Sequence, residues 1–182
     1  MTDVSAPRPF CVLMAGLPGS GKTTLSRALK ARGFVRLCPD EEMFRRHGVY
    51  GVDFPRGVFP VLERPILEEI SKELREQLSS GRDVVVDHGF WTPEDRDRWH
   101  SIATNAGAIT VLVYLEADHE ELWSRVNKRN AQHEADPNSI YFAESDLLRY
   151  RARFIPPQPN EPYIVYNGDL GPILKALEAE RE

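Results

Sequence analysis

Short runs of consecutive apolar residues alternate along the chain with longer stretches in which apolar residues recur every three or four positions. FCVLMA (10–15), FVRLC (34–38), DVVVD (83–87), ITVLVYL (109–115) and YIVY (163–166) are the short runs, each of strand length. A strand with no polar face is covered on both sides, as in the interior of a parallel sheet. Between them, TTLSRALKARG spaces Leu25, Ala28, Leu29 and Arg32 as a helix, with Gly33 as its stop. Phe59, Leu62, Ile66, Ile70, Leu74 and Leu78 predict a long amphipathic helix over 58–80. Pro65 inside it predicts a kink or a later start. Thr92-Pro93-Glu94-Asp95 opens a helix to about 107, and Asp118 with Glu121 opens another through about 130. Further helices are expected near 143–154 and 170–181, with 131–145 polar and irregular between. Residues 1–8 read as a disordered lead-in and 9–182 as one domain.

Strand and helix alternating over five strands predict an open, parallel α/β sheet with right-handed crossovers. Ligands of such sheets bind at the carboxyl ends of the strands, so the residues after each strand are the candidate chemistry.

Composition narrows the class. The net charge of −5 argues against a dedicated nucleic-acid coat or an electrostatic membrane binder, both of which need excess positive charge. The two cysteines, Cys11 and Cys38, lie in or at the end of apolar runs and read as reduced thiols of a cytoplasmic protein. No apolar run approaches the roughly 20 residues of a membrane span, and the five histidines show no metal-ligand spacing.

The first strand is followed by Gly16-Leu17-Pro18-Gly19-Ser20-Gly21-Lys22-Thr23-Thr24, which matches the phosphate-loop pattern G-x-x-x-x-G-K-[ST]. Glycines let the backbone wrap so that several N–H groups face one phosphate, and the following helix adds its N-terminal dipole. Gly16, Pro18, Gly19, Ser20, Gly21, Lys22, Thr23 and Thr24 are therefore the expected cradle for ATP. Lys22 brings charge to the β- and γ-phosphates, and the Thr23 hydroxyl would ligate Mg²⁺.

Other residues separate the classes that use such a loop. A guanine-reading Asn-Lys-x-Asp is absent, since Asn127-Lys128-Arg129-Asn130 lacks the aspartate. A hydrolytic motor would end a hydrophobic strand in Asp-Glu, whereas Val86-Asp87 is followed by His88. A small phosphotransferase fits better. Asp40, after the second strand, can face the γ-phosphate and take a proton from an attacking hydroxyl, or can cap the helix that follows. Asp87 after the third strand can hold a Mg²⁺-bound water or orient the acceptor, or be satisfied by nearby backbone. Arg125 and Arg129 share a helix face. Residues 123–153 carry six basic side chains against four acidic, while 58–100 carry six against ten. Positive charge thus concentrates where a closing lid, about 125–153, would meet triphosphate.

GLPGSGKTT, the position of Asp40, VVVDHGFWTPEDRDRW and the Arg125/Arg129 pair together resemble the small P-loop kinases. That group includes the kinase domain of phage-type polynucleotide kinase, zeta toxins and chloramphenicol phosphotransferase. The resemblance covers about residues 10–180. It implies a P-loop NTPase-type three-layer α/β sandwich with a five-stranded parallel sheet and a small helical lid. It also implies Asp40 as general base, Asp87 as a residue orienting substrate or metal, and Arg125 and Arg129 as lid arginines. In that family an arginine after the third strand can hold the acceptor. Arg96 matches one position of that pattern, and Asp95 departs from it.

The acceptor pocket is expected from 41–60 and the segment after Asp87, with His88 and Trp91 foremost. The expected reaction moves the γ-phosphate of ATP to a hydroxyl of a small molecule. The alternatives are a polynucleotide 5′-hydroxyl kinase, disfavoured by the charge, and a nucleotide-binding regulatory or toxin-like module. Asn167-Gly168-Asp169, after the fifth strand, is either near the adenine or a turn with a helix cap.

Overall fold

The structure, a computed structural model, describes residues 6–132 and 141–182. The five apolar runs form strands β1 (Phe10–Ala15), β2 (Val35–Leu37), β3 (Val84–Gly89), β4 (Ile109–Tyr114) and β5 (Ile164–Val165). All neighbours pair in parallel, in the order β2-β3-β1-β4-β5. The α-helices of the described residues are α1 (Lys22–Lys30), α2 (Pro39–His47), α3 (Phe59–Ser79), α4 (Pro93–Asn105), α5 (His119–Asn130), α6 (Glu144–Arg153) and α7 (Gly171–Ala179), and a 3₁₀ turn over Arg56–Val58 precedes α3.

The two-residue period of the central strands divides the core into two layers. Cys11 and Leu13 of β1 and Val84 and Val86 of β3 face one way, onto Ile66, Ile70, Leu74 and Leu78 of α3 and Trp99 and Ala103 of α4. Phe10, Val12 and Met14, with Val85, face the other, onto Leu25 and Leu29 of α1 and Ile173 and Leu177 of α7. Both sheet faces are thus covered, which is why β1 shows no polar position. A third cluster joins Leu17 to Leu122 of α5 and Leu147 of α6, with Trp91, Tyr150 and Phe154 packed around it. This cluster fastens the region expected as a lid to the loop after β1. Residues 133–140 of that region lie outside the described residues.

Several boundaries differ from the expectations, each for a local reason. β3 runs two residues past Asp87. The β1–β3 register shifts between Val12↔Val85 and Met14↔Gly89, and the Phe90 N–H bonds the Met14 carbonyl at 3.1 Å. Asp87 and His88 therefore lie within the strand rather than at its end. Pro65 neither starts nor ends α3, which begins at Phe59 and carries Pro65 on its exposed side. Thr92 and Asp118 cap α4 and α5 as expected, accepting from the N–H groups of Asp95 and Glu121. Asp40 is no cap. Cys38 stands at that position with Pro39 at the first turn, which places Asp40 inside the turn and its carboxylate near the helix's positive end. Of the expected lead-in, 1–5 lie outside the described residues. Arg8 is tied down, its guanidinium donating to the carbonyls of Gly107 and Ala108 at 2.9 and 2.8 Å.

The extension of β3 brings its end against the loop after β1. A Cβ on Gly89 would stand 2.4 Å from the Gly16 carbonyl oxygen and 2.8 Å from Trp91 Nε1. The neighbour at the closer point is backbone, which cannot rotate away. Gly89→Ala is expected to cost about 1–3 kcal/mol in urea denaturation and to weaken ADP binding. A variant as stable as the parent, with the same ADP affinity, would show that this contact positions nothing.

Candidate active site

The loop from Gly16 to Thr23 wraps between β1 and α1. Gly19 (φ +84°) and Gly21 (φ +101°) occupy left-handed backbone, which L side chains rarely adopt. At Gly19 space is a second constraint, since a Cβ would lie 3.0 Å from the Leu122 carbonyl and 3.1 Å from Val126 of α5. Gly21 precedes the first turn of α1, so the free N–H groups of Lys22, Thr23 and Thr24 open toward the loop. The Lys22 ammonium lies over the loop, donating to the carbonyls of Leu17 at 2.9 Å and Gly16 at 3.3 Å. Burial lowers its pKa to about 8 against the opposing pull of Asp87 and Asp40. Ser20 Oγ is buried inside the same loop with no hydrogen-bond partner among the described residues. A buried hydroxyl without a partner is costly unless a ligand oxygen meets it, and a phosphate would.

Beneath the loop, Asp87 is 4% exposed. Its Oδ2 accepts from Ser26 Oγ of α1 at 2.8 Å and from Arg36 of β2 at 2.5 and 3.2 Å. Arg36 also reaches Glu41 at 2.7 Å. Asp40 lies close enough to feel both Asp87 and Lys22. Burial, then the Asp87 charge, raises its pKa from 3.8 to about 6, although Lys22, Arg129 and Arg36 pull it down. A carboxylate that titrates near neutrality is suited to accept a proton at working pH. Burial, then the Lys22 charge, pushes His88 down to about 4, so it is a neutral imidazole packed edge-on against Phe90 at 5.1 Å.

Of the other expected site residues, the structure gathers most and removes one. Trp91 donates from Nε1 to the Gly16 carbonyl at 3.2 Å and packs on Tyr150 at 5.0 Å. Arg129 acts on both Lys22 and Asp40 through its charge. Arg125 instead braces the loop from outside, donating to the Gly19 carbonyl at 3.1 Å and pairing with Glu121. Arg96 is not an acceptor ligand. It is buried in an ion pair with Glu161, at 2.6 and 3.0 Å, and donates to the carbonyls of Phe90 and Ile155. Its fork is spent tying α4 to the strand end and to the segment after α6. Asn167 and Asp169 bond within their own turn, Asp169 accepting from the Gly171 N–H at 2.9 Å.

A cavity of about 550 Å³ opens beside the loop, with Pro18, Lys22 and Asp40 among its lining residues. His88, Phe90, Trp91, Trp99, Tyr50 and Tyr150 supply ring surface to it. Glu63 of α3 also lines it and was missed from the sequence. Burial, with the charges of Asp40 and Asp95, raises its pKa from 4.5 to about 8. The available signal was an acid on the apolar face of α3, four residues after Phe59 and three before Ile66.

At pH 7 Glu63 is thus a neutral carboxylic acid, able to donate a hydrogen bond. Because the folded protein holds this proton more tightly than the unfolded chain, Glu63 lowers stability as pH rises from about 4.5 to about 8. Glu63→Gln, neutral at every pH, is expected to raise the melting temperature relative to the parent at pH 8.5 and to leave it nearly unchanged at pH 5. Equal shifts at both pH values would contradict a protonated Glu63.

Solved structures share the fold that carries this site. A crystal structure from Chloroflexus aurantiacus J-10-fl, provisionally described as a kinase, matches with a TM-score of 0.75 at 23% identity, over 96% of this chain and 100% of that one. The APS kinase CysC of Mycobacterium tuberculosis, in complex with AMPPNP and APS, matches with a TM-score of 0.56 at 18% identity, over 96% and 98%. A chain of the Pnkp1/Rnl/Hen1 RNA repair complex matches with a TM-score of 0.62 at 20% identity, over 93% of this chain and 55% of that one. At such identities the likeness is one of fold, that of the P-loop kinases. The family model described as AAA domain matches residues 11–157, from the second residue of β1 to beyond α6, and the chain belongs to that family.

Proposed function

We propose that this protein is an ATP-dependent phosphotransferase that moves the γ-phosphate of ATP to a hydroxyl of a small molecule. The observation that carries the reading is the meeting of Lys22 and Asp40 in the wall of one cavity, beside the phosphate loop. The loop, Lys22 and the first turn of α1 would hold the triphosphate. The acceptor would occupy the cavity, its hydroxyl on Asp40. Asp40 takes the hydroxyl proton as the oxygen bonds to the γ-phosphorus, the bond to the β–γ bridging oxygen breaks, and ADP leaves. Arg129, whose charge already reaches Lys22 and Asp40, would offset charge on the phosphoryl group in transit.

The residues fit a Mg²⁺–nucleotide, because Mg²⁺ in such sites takes most of its ligands from phosphates and water. The described residues hold no cluster of three or more His, Cys, Asp or Glu for a metal bound by protein alone. Thr23, in the first turn of α1, would hold the ion, and Asp87, with Oδ2 committed to Ser26 and Arg36, would act through its other oxygen. The ion would supply neutralisation of the β- and γ-phosphate charge.

A concave site of about 550 Å³ walled by aromatic rings suits a small acceptor. The APS kinase among the structural matches supports that class, and the RNA repair complex keeps a polynucleotide 5′-hydroxyl as the alternative. The net charge of −5 weighs against tracking a phosphate backbone. No described helix is long and apolar enough to cross a membrane.

Asp40→Asn is expected to keep ATP affinity within about threefold and to lower phosphate transfer by about 10²–10⁴, measured with γ-labelled ATP against hydroxyl-bearing metabolites, antibiotics and a 5′-hydroxyl oligonucleotide. Near-parental transfer would remove Asp40 from the chemistry. Labelling confined to the oligonucleotide would reverse the acceptor class.

A further inference from the structure

The walls of the cavity are unequal in charge. Its acids, Asp40, Glu63 and Asp95, come from α2, α3 and the start of α4. Four arginines also line it: Arg56, Arg98, Arg149 and Arg153. Arg56 and Arg149 share the single buried carboxylate of Asp146, which pairs with both. Each also lies over a ring, Arg56 5.6 Å from the Tyr50 centroid and Arg149 5.9 Å from that of Tyr150. Arg98 and Arg153 have no ion pair or hydrogen bond among the described residues, and both are exposed. Asp95, one turn before Arg98, does not pair with it either.

Four guanidinium groups thus serve one cavity with one carboxylate bound among them. Two of the four have no ion-pair partner among the described residues. Concave sites concentrate the field of such groups, and a guanidinium fork matches a phosphate or carboxylate bidentately. Arg98 and Arg153 approach the cavity from α4 and the end of α6. These two elements are tied together by the Arg96 bond to the Ile155 carbonyl and the Ile155 N–H bond to the Trp91 carbonyl. The two forks are therefore carried on one braced unit, with Trp91 and Trp99 beside them in the cavity wall.

Building on the phosphotransferase reading, we propose that the acceptor is a ring-bearing small molecule carrying an oxyanion, bound by Arg98 and Arg153 while its ring packs on the aromatic wall. The hydroxyl end then lies toward Asp40 and the anion toward the mouth. A neutral sugar or alcohol would leave both forks unanswered.

The test uses the full chain with saturating ADP, which fills the phosphate loop and keeps probe anions out of it. Tryptophan fluorescence, reported by Trp91 and Trp99, is titrated with phenyl phosphate, benzoate and phenol, three probes that share the ring and differ in charge. At least one anion is expected to bind about tenfold tighter than phenol, and phosphate against carboxylate separates the two oxyanions. In the double variant Arg98→Gln/Arg153→Gln the advantage over phenol is expected to vanish, with ADP affinity and melting temperature unchanged. Equal binding of anions and phenol, no saturable binding of either anion, or an advantage that survives in the double variant would overturn the proposal. None of these outcomes touches phosphotransfer, which stands or falls on the Asp40→Asn assay.

Discussion

A buried carboxylate has to be paired, and the pairing of Asp87 organises this molecule. Arg36 of β2 and Ser26 of α1 both bond its Oδ2. Two consecutive elements, α1 and β2, are thereby fixed to β3, more than fifty residues further along the chain, at the carboxyl end of the sheet. Removing one partner of such a pair leaves an uncompensated charge in the interior, so the strand ends are held to one geometry. The Asp87 charge also reaches Lys22 and Asp40. It props up the ammonium that burial would otherwise discharge further, and it adds to the burial that raises Asp40 toward neutrality. The site's acid–base character thus follows first from burial and then from the Asp87 charge one layer below it.

Around this anchor the loop is shaped by close approach. Gly89 presses on the Gly16 carbonyl from β3, and Gly19 meets the Leu122 carbonyl from α5. Arg125 and Trp91 donate to the loop's carbonyls from two further directions. The cradle is held from outside, so its inward N–H groups and the buried Ser20 hydroxyl are left for a ligand. Arg96, with its fork turned to Glu161 and two carbonyls, does the same for the cavity: it contributes by fastening α4 and the segment after α6 that carry the wall.

The fold was legible in the sequence because strands covered on both faces leave uninterrupted apolar runs, and β1, β3 and β4 could not be mistaken. The phosphate loop was legible because its glycines answer to local backbone demands. Arg96 was misread, because a match to a family's spacing cannot show that Glu161, 65 residues away, already holds the guanidinium. Glu63 was missed, because an acid on an apolar helix face reads as a solvated edge until the cavity beside it is seen. The extension of β3 past Asp87 depends on a register shift that only the pairing with β1 reveals. Local constraints were readable, and those set by partners far along the chain were not.

The central claim is that burial over the Asp87 pair makes Asp40 a base that titrates near neutrality. It is tested most directly by following the ¹³C carboxyl resonances of the aspartates against pH in the free protein, with Asp40→Asn identifying the Asp40 signal. The account predicts a midpoint of about 6 for the resonance that the variant lacks. A midpoint at the ordinary 3.8 would contradict it.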